Sequence, residues 1–282
     1  MEPIIEIKNL THIYSPNTPF EQRALDSVNL TIYQGETLGI IGRTGSGKST
    51  LIQHLNGLVR PTSGQILFEG QDIWSSKELT HTIRFQVGLV FQYPEYQLFE
   101  ETVYKDIAFG PRNMKLDEGE IDRRVRRAAA FAGLRDEVLS RSPFELSGGQ
   151  KRRVAIAGVI AMAPRCIVLD EPTAMLDPVG RREVLHTIQA LNRTSGVTVV
   201  LITHHMDEAA LADRLVVMAD GHVVADGAPK TVFSRVEELR AVGLTVPETV
   251  ELCYALRQDG LELPLDALSV EECAQALYRL LT

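Results

Sequence analysis

Apolar residues recur along most of the chain with the spacing of strands and helices. Residues 4–10 and 24–33 alternate or run apolar, as strands do, and the short apolar run TLGIIG at 37–42 leads directly into a glycine-rich loop. Further strands are predicted at 65–70, 85–92, 166–170 and 197–203, and helices at 121–132, directly after residue 150, and around Val184, Ile188 and Leu191. Since strands alternate with helices and several are wholly apolar, we predict an α/β fold whose parallel strands are covered on both faces.

The pattern changes near Pro229. Short helical segments, separated by turns containing glycine or proline, follow at 231–242, 247–258 and 269–281. No low-complexity segment or long linker separates them from the preceding residues. We therefore expect one main domain, residues 4–228, and a small C-terminal helical extension, residues 229–282.

The composition fits such a protein and excludes several classes of function. The chain has 282 residues, 44% of them hydrophobic, and a formal net charge of −8, which argues against binding nucleic acid through phosphate neutralisation. Cys166, Cys253 and Cys273 lack the spacing of a zinc site or a disulfide framework, so we interpret them as buried or inert thiols. The first residues do not resemble a signal peptide, and no segment reaches the roughly 18 apolar residues of a membrane span. Any work at a membrane would therefore need partners.

The loop after the strand at 37–42 has the sequence GRTGSGKS and the spacing GxxxxGK[ST]. Glycines let backbone N–H groups curl around phosphate oxygens, and the following helix N-terminus adds positive potential. Lys48 would reach the β- and γ-phosphates of a nucleotide, and Ser49 would ligate Mg²⁺. A chance glycine-rich turn is the alternative, which the preceding strand disfavours. We predict phosphate contacts from the residues of this loop: Gly42, Arg43, Thr44, Gly45, Ser46, Gly47, Lys48, Ser49 and Thr50.

Two acids follow the buried strand at 166–170. Asp170 ends this strand, so its carboxylate lies at the carboxyl edge of the sheet, where ligands of open α/β sheets bind and where it can hold Mg²⁺. Glu171 points differently and can act as the general base for an attacking water. The alternative is a pair of acids that opens a turn before Pro172.

The run LSGGQ at Leu146–Gln150 precedes a predicted helix. Ser147, Gly148 and Gly149 begin that helix, so a hydroxyl and bare N–H groups face outward with the helix dipole behind them. This arrangement predicts an anion-binding helix end. An ordinary helix cap explains the serine but not the two glycines followed by Gln150.

With these motifs in this order, the chain resembles the ATP-binding-cassette (ABC) ATPases from about residue 4 to residue 227. The resemblance implies a P-loop NTPase with a RecA-like core, an ABC-type antiparallel β-subdomain and a helical signature subdomain at about 95–162. It also implies ATP and Mg²⁺ as cofactors. In this family two subunits pair head to tail, and the LSGGQ run of one closes on the γ-phosphate bound by the other.

The resemblance assigns roles to further residues. Gln92 matches a glutamine that contacts Mg²⁺ and the nucleophilic water, and His204 matches the histidine that holds the γ-phosphate. Tyr14 matches the aromatic residue that stacks on adenine, although an exposed tyrosine at a strand end is the alternative. Leu176 and Asp177 match the loop that couples the two nucleotide sites. For Gln92 the alternative is an ordinary polar residue at a strand end, and for His204 it is the neighbouring His205.

Other stretches narrow the resemblance to the ATPases of energy-coupling factor transporters, importers of vitamins and transition-metal ions. They are FQYPEYQLFEETV from Phe91, THIYSPNTPFEQRAL from Thr11, QKRRVAIAGVIAM from Gln150, and the helical tail. The resemblance implies a second ATPase subunit, a transmembrane coupling subunit and a substrate-binding membrane subunit, and a peripheral position on the cytoplasmic face of the membrane. The YPEYQLF run is similar to the second of two ATPase paralogues, which favours a heterodimer over a homodimer, whereas Met175 is more like the first.

Two groups of charged residues suggest contacts. Glu95, Glu100 and Glu101 lie near the expected docking groove, and we hypothesise that one or more of them receive arginines from the membrane partner. The arginine and lysine clusters at 123–127 and 151–153 are interpreted as solvated helix faces or intersubunit charge rather than nucleic-acid contacts. A soluble ABC ATPase acting on ribosomes or DNA remains the alternative function, as does the ATPase of another ABC importer. Since both Asp170 and Glu171 are present, we predict a competent ATPase.

Overall fold

The computed structural model describes residues 2–281, with the side chain of Leu281 left out. Its strands are β1 (Pro3–Tyr14), β2 (Gln22–Tyr33), β3 (Thr37–Gly42), β4 (Ser63–Phe68), β5 (Gln71–Asp72), β6 (Val87–Val90), β7 (Cys166–Asp170), β8 (Thr198–Ile202), β9 (Arg214–Ala219) and β10 (His222–Gly227). Its helices are α1 (Lys48–Leu55), α2 (Lys77–Gln86), α3 (Val103–Asn113), α4 (Glu118–Phe131), α5 (Asp136–Leu139), α6 (Gly148–Ile160), α7 (Pro178–Ser195), α8 (Met206–Ala209), α9 (Pro229–Phe233), α10 (Val236–Ala241), α11 (Glu248–Gln258) and α12 (Val270–Leu281).

A six-stranded sheet with the order β10-β9-β3-β8-β7-β6 forms the centre of the molecule. Strands β9, β3, β8, β7 and β6 are parallel, and β10 pairs antiparallel with β9 at the edge. Every residue of β6, β7 and β8 is buried, because helices cover both faces of these strands. The predicted α/β fold with parallel, doubly covered strands is confirmed.

A second, antiparallel sheet has the order β2-β1-β4-β5. It shares one apolar core with the central sheet and α1, in which Leu10 and Leu25 pack with Ile40, Leu51 and Val168. This packing brings the C-terminal end of β1 next to the first turn of α1.

A layer of helices, α3 to α6, has its own apolar core, which includes Ile107, Val125 and Val154. The helix predicted at 121–132 lies within α4, whereas the sequence did not indicate α3. The strand predicted at 85–92 is wrong at its start, because Phe85 and Gln86 end α2 and only Val87–Val90 pair as a strand. Helix α2 begins at a Ser76 side chain that accepts a hydrogen bond from the backbone N–H of Leu79.

The C-terminal helices pack on one face of the central sheet, over β3 and β9. Phe233 and Leu239 share an apolar cluster with Ile41 of β3 and Val217 of β9. The first predicted tail segment is two short helices, α9 and α10, rather than one. No described helix is long and apolar enough to span a membrane.

All three cysteines are buried, as expected. Helices α11 and α12 nevertheless bring the Sγ atoms of Cys253 and Cys273 within 3.7 Å of each other, which their spacing in the sequence did not indicate.

Candidate active site

The glycine-rich loop joins β3 to α1 and lies against two neighbouring strands. Gly47 caps α1 with φ of 100°, and a Cβ there would lie 2.5 Å from the carbonyl oxygen of Ala24. A Cβ on Gly42 would lie 2.4 Å from the carbonyl oxygen of Met218. Only glycine fits such close backbone approaches, so these positions set the curvature of the loop.

Lys48, the first residue of α1, is buried beneath the loop. Its Nζ donates to the carbonyl oxygens of Gly42 at 2.6 Å and Arg43 at 3.0 Å. Burial lowers the pKa of the ammonium, and the nearby carboxylates of Glu171 and Asp170 oppose this shift. The loop thus holds one buried cation close to the two acids that follow β7.

Asp170 and Ser49 meet although 121 residues separate them. The Ser49 hydroxyl donates to Oδ2 of Asp170 at 3.1 Å. Burial raises the pKa of the Asp170 carboxyl, the Ser49 hydrogen bond opposes the shift, and the charge of Glu171 adds to it. A hydroxyl and a carboxylate at this distance are hard oxygen donors of the kind that Mg²⁺ prefers, so the pair fits this ion.

Glu171 joins two further residues singled out in the sequence. Gln92 Nε2 donates to Oε2 of Glu171 at 2.7 Å, and Nε2 of His204 pairs with Oε1. The Glu171 backbone has φ of 48° and its N–H donates to the carbonyl oxygen of Ile202 at 3.0 Å. A non-glycine residue held in this strained region is typical of functional sites. Two side chains therefore hold this carboxylate, and its backbone is fixed to β8.

Tyr14 ends β1 beside α1, and its hydroxyl lies 3.1 Å from the Thr50 hydroxyl. Its ring packs edge-on against His12, with the ring centroids 4.5 Å apart, and His12 packs against His54 at 4.8 Å. Burial lowers the pKa of His54 to about 4, so its imidazole is neutral at pH 7. The sequence had not indicated either histidine as a support of Tyr14.

The LSGGQ run begins α6 as predicted. The Ser147 hydroxyl accepts from the N–H of Gln150 at 3.3 Å, and the Gln150 side chain accepts from the N–H of Ser147 at 3.1 Å. This reciprocal pair is a capping box, so the helix-cap interpretation of the serine is right as well. No atom lies within 4 Å of a Cβ position on Gly148. The two glycines are therefore not required by packing within the chain, and they leave the helix end open to an approaching group.

A cavity of about 480 Å³ lies beside this helix end. Its walls include Ser147, Gly149, Leu176 and Asp177, and no residue of the glycine-rich loop. The signature and the loop at 174–177 thus share one surface, separate from the phosphate loop of the same chain.

Arg152 corrects part of the sequence interpretation. It was expected as part of a solvated face or as intersubunit charge, but it is 2% exposed and its guanidinium donates to the carbonyl oxygens of Pro172 at 3.1 Å and Ala174 at 2.5 Å. It also pairs with Glu95 at 3.3 Å. Glu95 therefore already has an internal partner, and α6 is tied to the loop that follows Glu171. The sequence did not indicate these buried contacts, because Arg152 lies in a run of three basic residues and such runs are usually solvated.

Glu208 is a second buried residue near the site that the sequence did not indicate. Its carboxylate is fully buried and accepts hydrogen bonds from Thr173 at 2.7 Å, Thr203 at 2.5 Å and Arg181 at 2.5 Å. Thr173 follows Glu171 and Thr203 precedes His204, so this one carboxylate links the two segments that carry them. The only sequence signal was an acid within an apolar, helix-forming stretch.

Comparison with known proteins agrees with this geometry. The ABC transporter family matches residues 25–174. The protein named energy-coupling factor transporter ATP-binding protein EcfA2 of Symbiobacterium thermophilum is 53% identical over 98% of this chain and 95% of its own. In Caldanaerobacter subterraneus, proteins named EcfA2 and EcfA1 are 49% and 48% identical, each over 98% of this chain and 97% and 99% of their own lengths.

Solved structures give the same result. The Clostridium perfringens protein cbiO1, described as part of an ABC transporter complex, has a TM-score of 0.75 and 41% identity, covering 86% of this chain and 95% of its own. A dimeric ATP-binding cassette in a post-hydrolysis state with ADP and Pi has a TM-score of 0.72 and 31% identity, covering 80% of this chain and 98% of its own. None of these five proteins is named as a ribosomal or DNA-associated ATPase. The predicted resemblance to the second paralogue is confirmed, and the chain belongs to the ABC transporter family, among the energy-coupling factor transporter ATP-binding proteins.

Proposed function

We propose that this chain hydrolyses ATP to energise an energy-coupling factor importer, with the site described above as its active site. The single observation that carries the proposal is the convergence on one sheet edge of the phosphate loop, Asp170 and Glu171, with Gln92 and His204 on the Glu171 carboxylate. Hydrolysis then depends on positioning and on charge stabilisation.

We infer that ATP binds along the loop at 42–50. The N–H groups of the loop and of the first turn of α1 would bind the phosphates. The Lys48 ammonium lies beneath the loop, where it donates to the carbonyl oxygens of Gly42 and Arg43 and interacts with the charges of Glu171 and Asp170. Tyr14 stacks on the adenine. Its ring is 39% exposed, and the Thr50 hydroxyl and His12 hold it in place.

Mg²⁺ is the second cofactor proposed. Ser49 and Asp170 would hold it, with Gln92 as a further ligand through its amide oxygen. When bound, the ion neutralises charge on the β- and γ-phosphates.

Glu171 is proposed as the general base. The hydrogen bond from Gln92 and the contact with His204 occupy both of its oxygens in defined directions, which orients the carboxylate towards a water at the γ-phosphate. His204 is proposed to hold the γ-phosphate as well. His205, its neighbour, is the N-cap residue of α8 and is not part of this group.

We propose that the active form is a head-to-tail dimer. Within residues 2–281, the surface formed by Ser147 and Asp177 is separate from the phosphate loop, so it is free to close on the nucleotide of a second subunit. Residues 4–228 form the ATPase domain, with its helical subdomain at about 95–162, and the extension at 229–282 contributes to dimerisation. The presence of an EcfA1 and an EcfA2 relative in one organism supports a heterodimer with a paralogue.

The membrane partners proposed are a transmembrane coupling subunit and a substrate-binding subunit, and the chain sits peripherally on the cytoplasmic face. A cavity of about 340 Å³ between α2, α3 and α6 includes Phe99 and Phe109, which pack edge-to-face at 4.9 Å and remain 57% and 45% exposed. Such an exposed aromatic pair suits a docked apolar segment.

The experiment that tests this function uses Glu171→Gln and Ser147→Arg. Glu171→Gln keeps the size of the side chain and removes its basicity, so we expect ATP binding to persist while kcat falls by about a hundredfold or more. With ATP, this variant should accumulate as a dimer, alone or with the paralogous ATPase.

Adding Ser147→Arg to Glu171→Gln should prevent the ATP-dependent association and leave the ATP affinity of the monomer unchanged, because Ser147 serves the nucleotide of the other subunit. Light scattering measures the association, and nucleotide binding at concentrations too low for association measures the monomer. Hydrolysis by Glu171→Gln at the wild-type rate would contradict the assigned base, and undiminished ATP-dependent association of the double variant would contradict the dimer.

A further inference from the structure

The short segment that follows β6 makes two contacts that lead to Glu171. At its start, Nε2 of Gln92 donates to Oε2 of Glu171 at 2.7 Å. Three residues later, the Glu95 carboxylate pairs with Nη2 of Arg152 at 3.3 Å. Only the first of these contacts takes part in the proposed reaction.

Arg152 extends the second contact to the backbone that follows Glu171. Its Nη1 donates to the carbonyl oxygens of Pro172 at 3.1 Å and Ala174 at 2.5 Å. The N–H of Ala174 in turn donates to the carbonyl oxygen of Glu171 at 3.1 Å, which closes the turn at 171–174. Since Arg152 is almost fully buried, its guanidinium cannot rotate away without breaking these bonds. The turn that begins with Glu171 is therefore tied directly to one guanidinium.

The charge of Glu95 holds this guanidinium in place. Among the described residues, Glu95 is the one acid that pairs with Arg152. Removing the partner of a buried charge is costly, because the remaining group is left without compensation. Without the carboxylate, we expect Arg152 to turn towards water and to weaken its bonds with the two carbonyl oxygens. Pro94 is buried and the N–H of Tyr96 donates to the carbonyl oxygen of Tyr93 at 3.0 Å, so a short 3-10 turn fixes the backbone around Glu95.

The backbone of Glu171 depends on such support. Its φ of 48° is sparsely populated by residues other than glycine, and a residue persists there only when surrounding contacts hold it. The N–H of Glu171 is bonded to the carbonyl oxygen of Ile202 on one side. On the other side, the bonds of Arg152 to the turn at 171–174 provide the second anchor.

We propose that Glu95 is a positioning residue for ATP hydrolysis. Through Arg152 it fixes the backbone of the turn that carries Glu171, while Gln92 holds the Glu171 carboxylate from the same segment. A displacement of this segment therefore moves the general base by its backbone and by its side chain together. The proposal rests on the proposed function, since it requires that Glu171 acts as the base.

The test replaces Glu95 by glutamine in the full-length chain, which keeps the size of the side chain and removes its charge. We expect kcat for ATP hydrolysis to fall about tenfold, because a small misplacement of a reacting group is costly to the rate. KM for ATP should change by less than about twofold. Within residues 2–281, no hydrogen bond or ion pair joins Glu95 or Arg152 to the phosphate loop.

The control is Glu120→Gln, which removes a carboxylate of matching exposure from α4. The side chains of Glu120 and Glu95 are 23% and 25% exposed, and each pairs with an arginine that also donates to a backbone carbonyl oxygen. For Glu120 this arginine is Arg124, which donates to the carbonyl oxygen of Met162 instead of to the turn after Glu171. Both kcat and KM of the control should stay within about twofold of the wild-type values.

Two further measurements separate positioning from a loss of stability. With ATP, Glu95→Gln should accumulate as a dimer, because it binds ATP and hydrolyses it slowly, whereas a partly unfolded variant would not associate. In the Arg152→Met background, which lacks the guanidinium, Glu95→Gln should lower kcat by less than about twofold. If Arg152→Met does not fold, Arg152→Lys replaces it, because an ammonium lacks the planar fork that serves the carboxylate and both carbonyl oxygens.

The outcomes distinguish the positioning role from the proposed function. Equal kcat values for Glu95→Gln and Glu120→Gln, or an undiminished effect of Glu95→Gln in the Arg152 variant, would overturn the positioning role. Hydrolysis by Glu171→Gln at the wild-type rate would instead overturn the proposed function, and that variant retains both Glu95 and Arg152.

Discussion

At the scale of single residues, the site is built from polar side chains that are largely buried and held by contacts within the chain. Glu171 is 14% exposed and held by Gln92 and His204, and Lys48 is 6% exposed. Burial strengthens the electrostatic interactions of such groups, but it also destabilises their charged forms. Substituting a buried acid of the site therefore changes both stability and hydrolysis.

Asp170→Asn is expected to stabilise the nucleotide-free protein while abolishing hydrolysis. The folded-state pKa of Asp170 lies above the ordinary 3.8, so its ionised form is disfavoured in the folded chain at neutral pH. The stability that this group contributes at low pH is lost as the pH rises through the folded-state pKa. The gain from Asp170→Asn should therefore be largest at pH 7 and shrink as the pH falls towards the unfolded-state pKa.

Denaturant unfolding over a pH series measures this gain. Glu101→Gln is a control of opposite sign, because the hydrogen bond from Lys105 lowers the pKa of that exposed carboxyl. A variant Asp170→Asn that is less stable than the wild type at pH 7 would show that other contacts of this carboxylate dominate.

Glu208→Ala is expected to lower the free energy of unfolding by about 3 kcal/mol, because it leaves a cation and two hydroxyls without their buried partner. Hydrolysis should fall as well, since the segments before His204 and after Glu171 lose their common link. The control is Asp207→Ala, which removes the other acid that pairs with Arg181, one that is 71% exposed. It should change stability by less than about 1 kcal/mol. Comparable losses in both variants would contradict the special role of Glu208.

At the scale of elements, the signature helix α6 is linked to the catalytic loop by Arg152. Arg152→Met retains the aliphatic packing but leaves the carbonyl oxygens of Pro172 and Ala174 without a donor. We expect a loss of about 3 kcal/mol in the free energy of unfolding and lower hydrolysis. Arg153→Met is the matched control, because Arg153 pairs with the half-exposed Glu183 at the surface and should matter by less than about 1 kcal/mol. Calorimetry of the two variants tests this, and equal losses in the free energy of unfolding would contradict the role of Arg152.

At the scale of the whole molecule, ion pairs within the chain occupy two of the three acids that were expected to receive arginines from the membrane partner, Glu95, Glu100 and Glu101. Glu95 pairs with the buried Arg152, and Glu101 with Lys105. Within residues 2–281 the Glu100 carboxylate makes no ion pair, so it is the acid best placed to receive an arginine of the coupling subunit.

Glu100→Arg should therefore reduce uptake by the assembled transporter at least about tenfold, while the purified subunit still hydrolyses ATP. Glu262→Arg, a charge reversal at an exposed site in the extension, serves as the control. Transport by the Glu100 variant equal to that of the control would show that this carboxylate does not contact the membrane partner.

The sequence alone determined the features that depend on neighbouring residues. The phosphate loop at 42–49, the cap formed by Ser147 and Gln150, and the wholly apolar strands β7 and β8 are set by local backbone and burial preferences, which short spacings reveal. The predicted start of β6 was wrong because Phe85 and Gln86 are the last residues of α2, a helix that the sequence had not indicated.

Only the tertiary structure decided which distant residues meet. Ser49 reaches Asp170 across 121 residues and Arg152 reaches Glu95 across 57. Phe233 and Leu239 of the extension reach Ile41 and Val217 by packing on β3 and β9. Such contacts result from how the whole core packs, and no local pattern encodes them. For the same reason, the sequence predicted Arg152 as a solvated or intersubunit charge and gave no indication of Glu208, although the fold buries both.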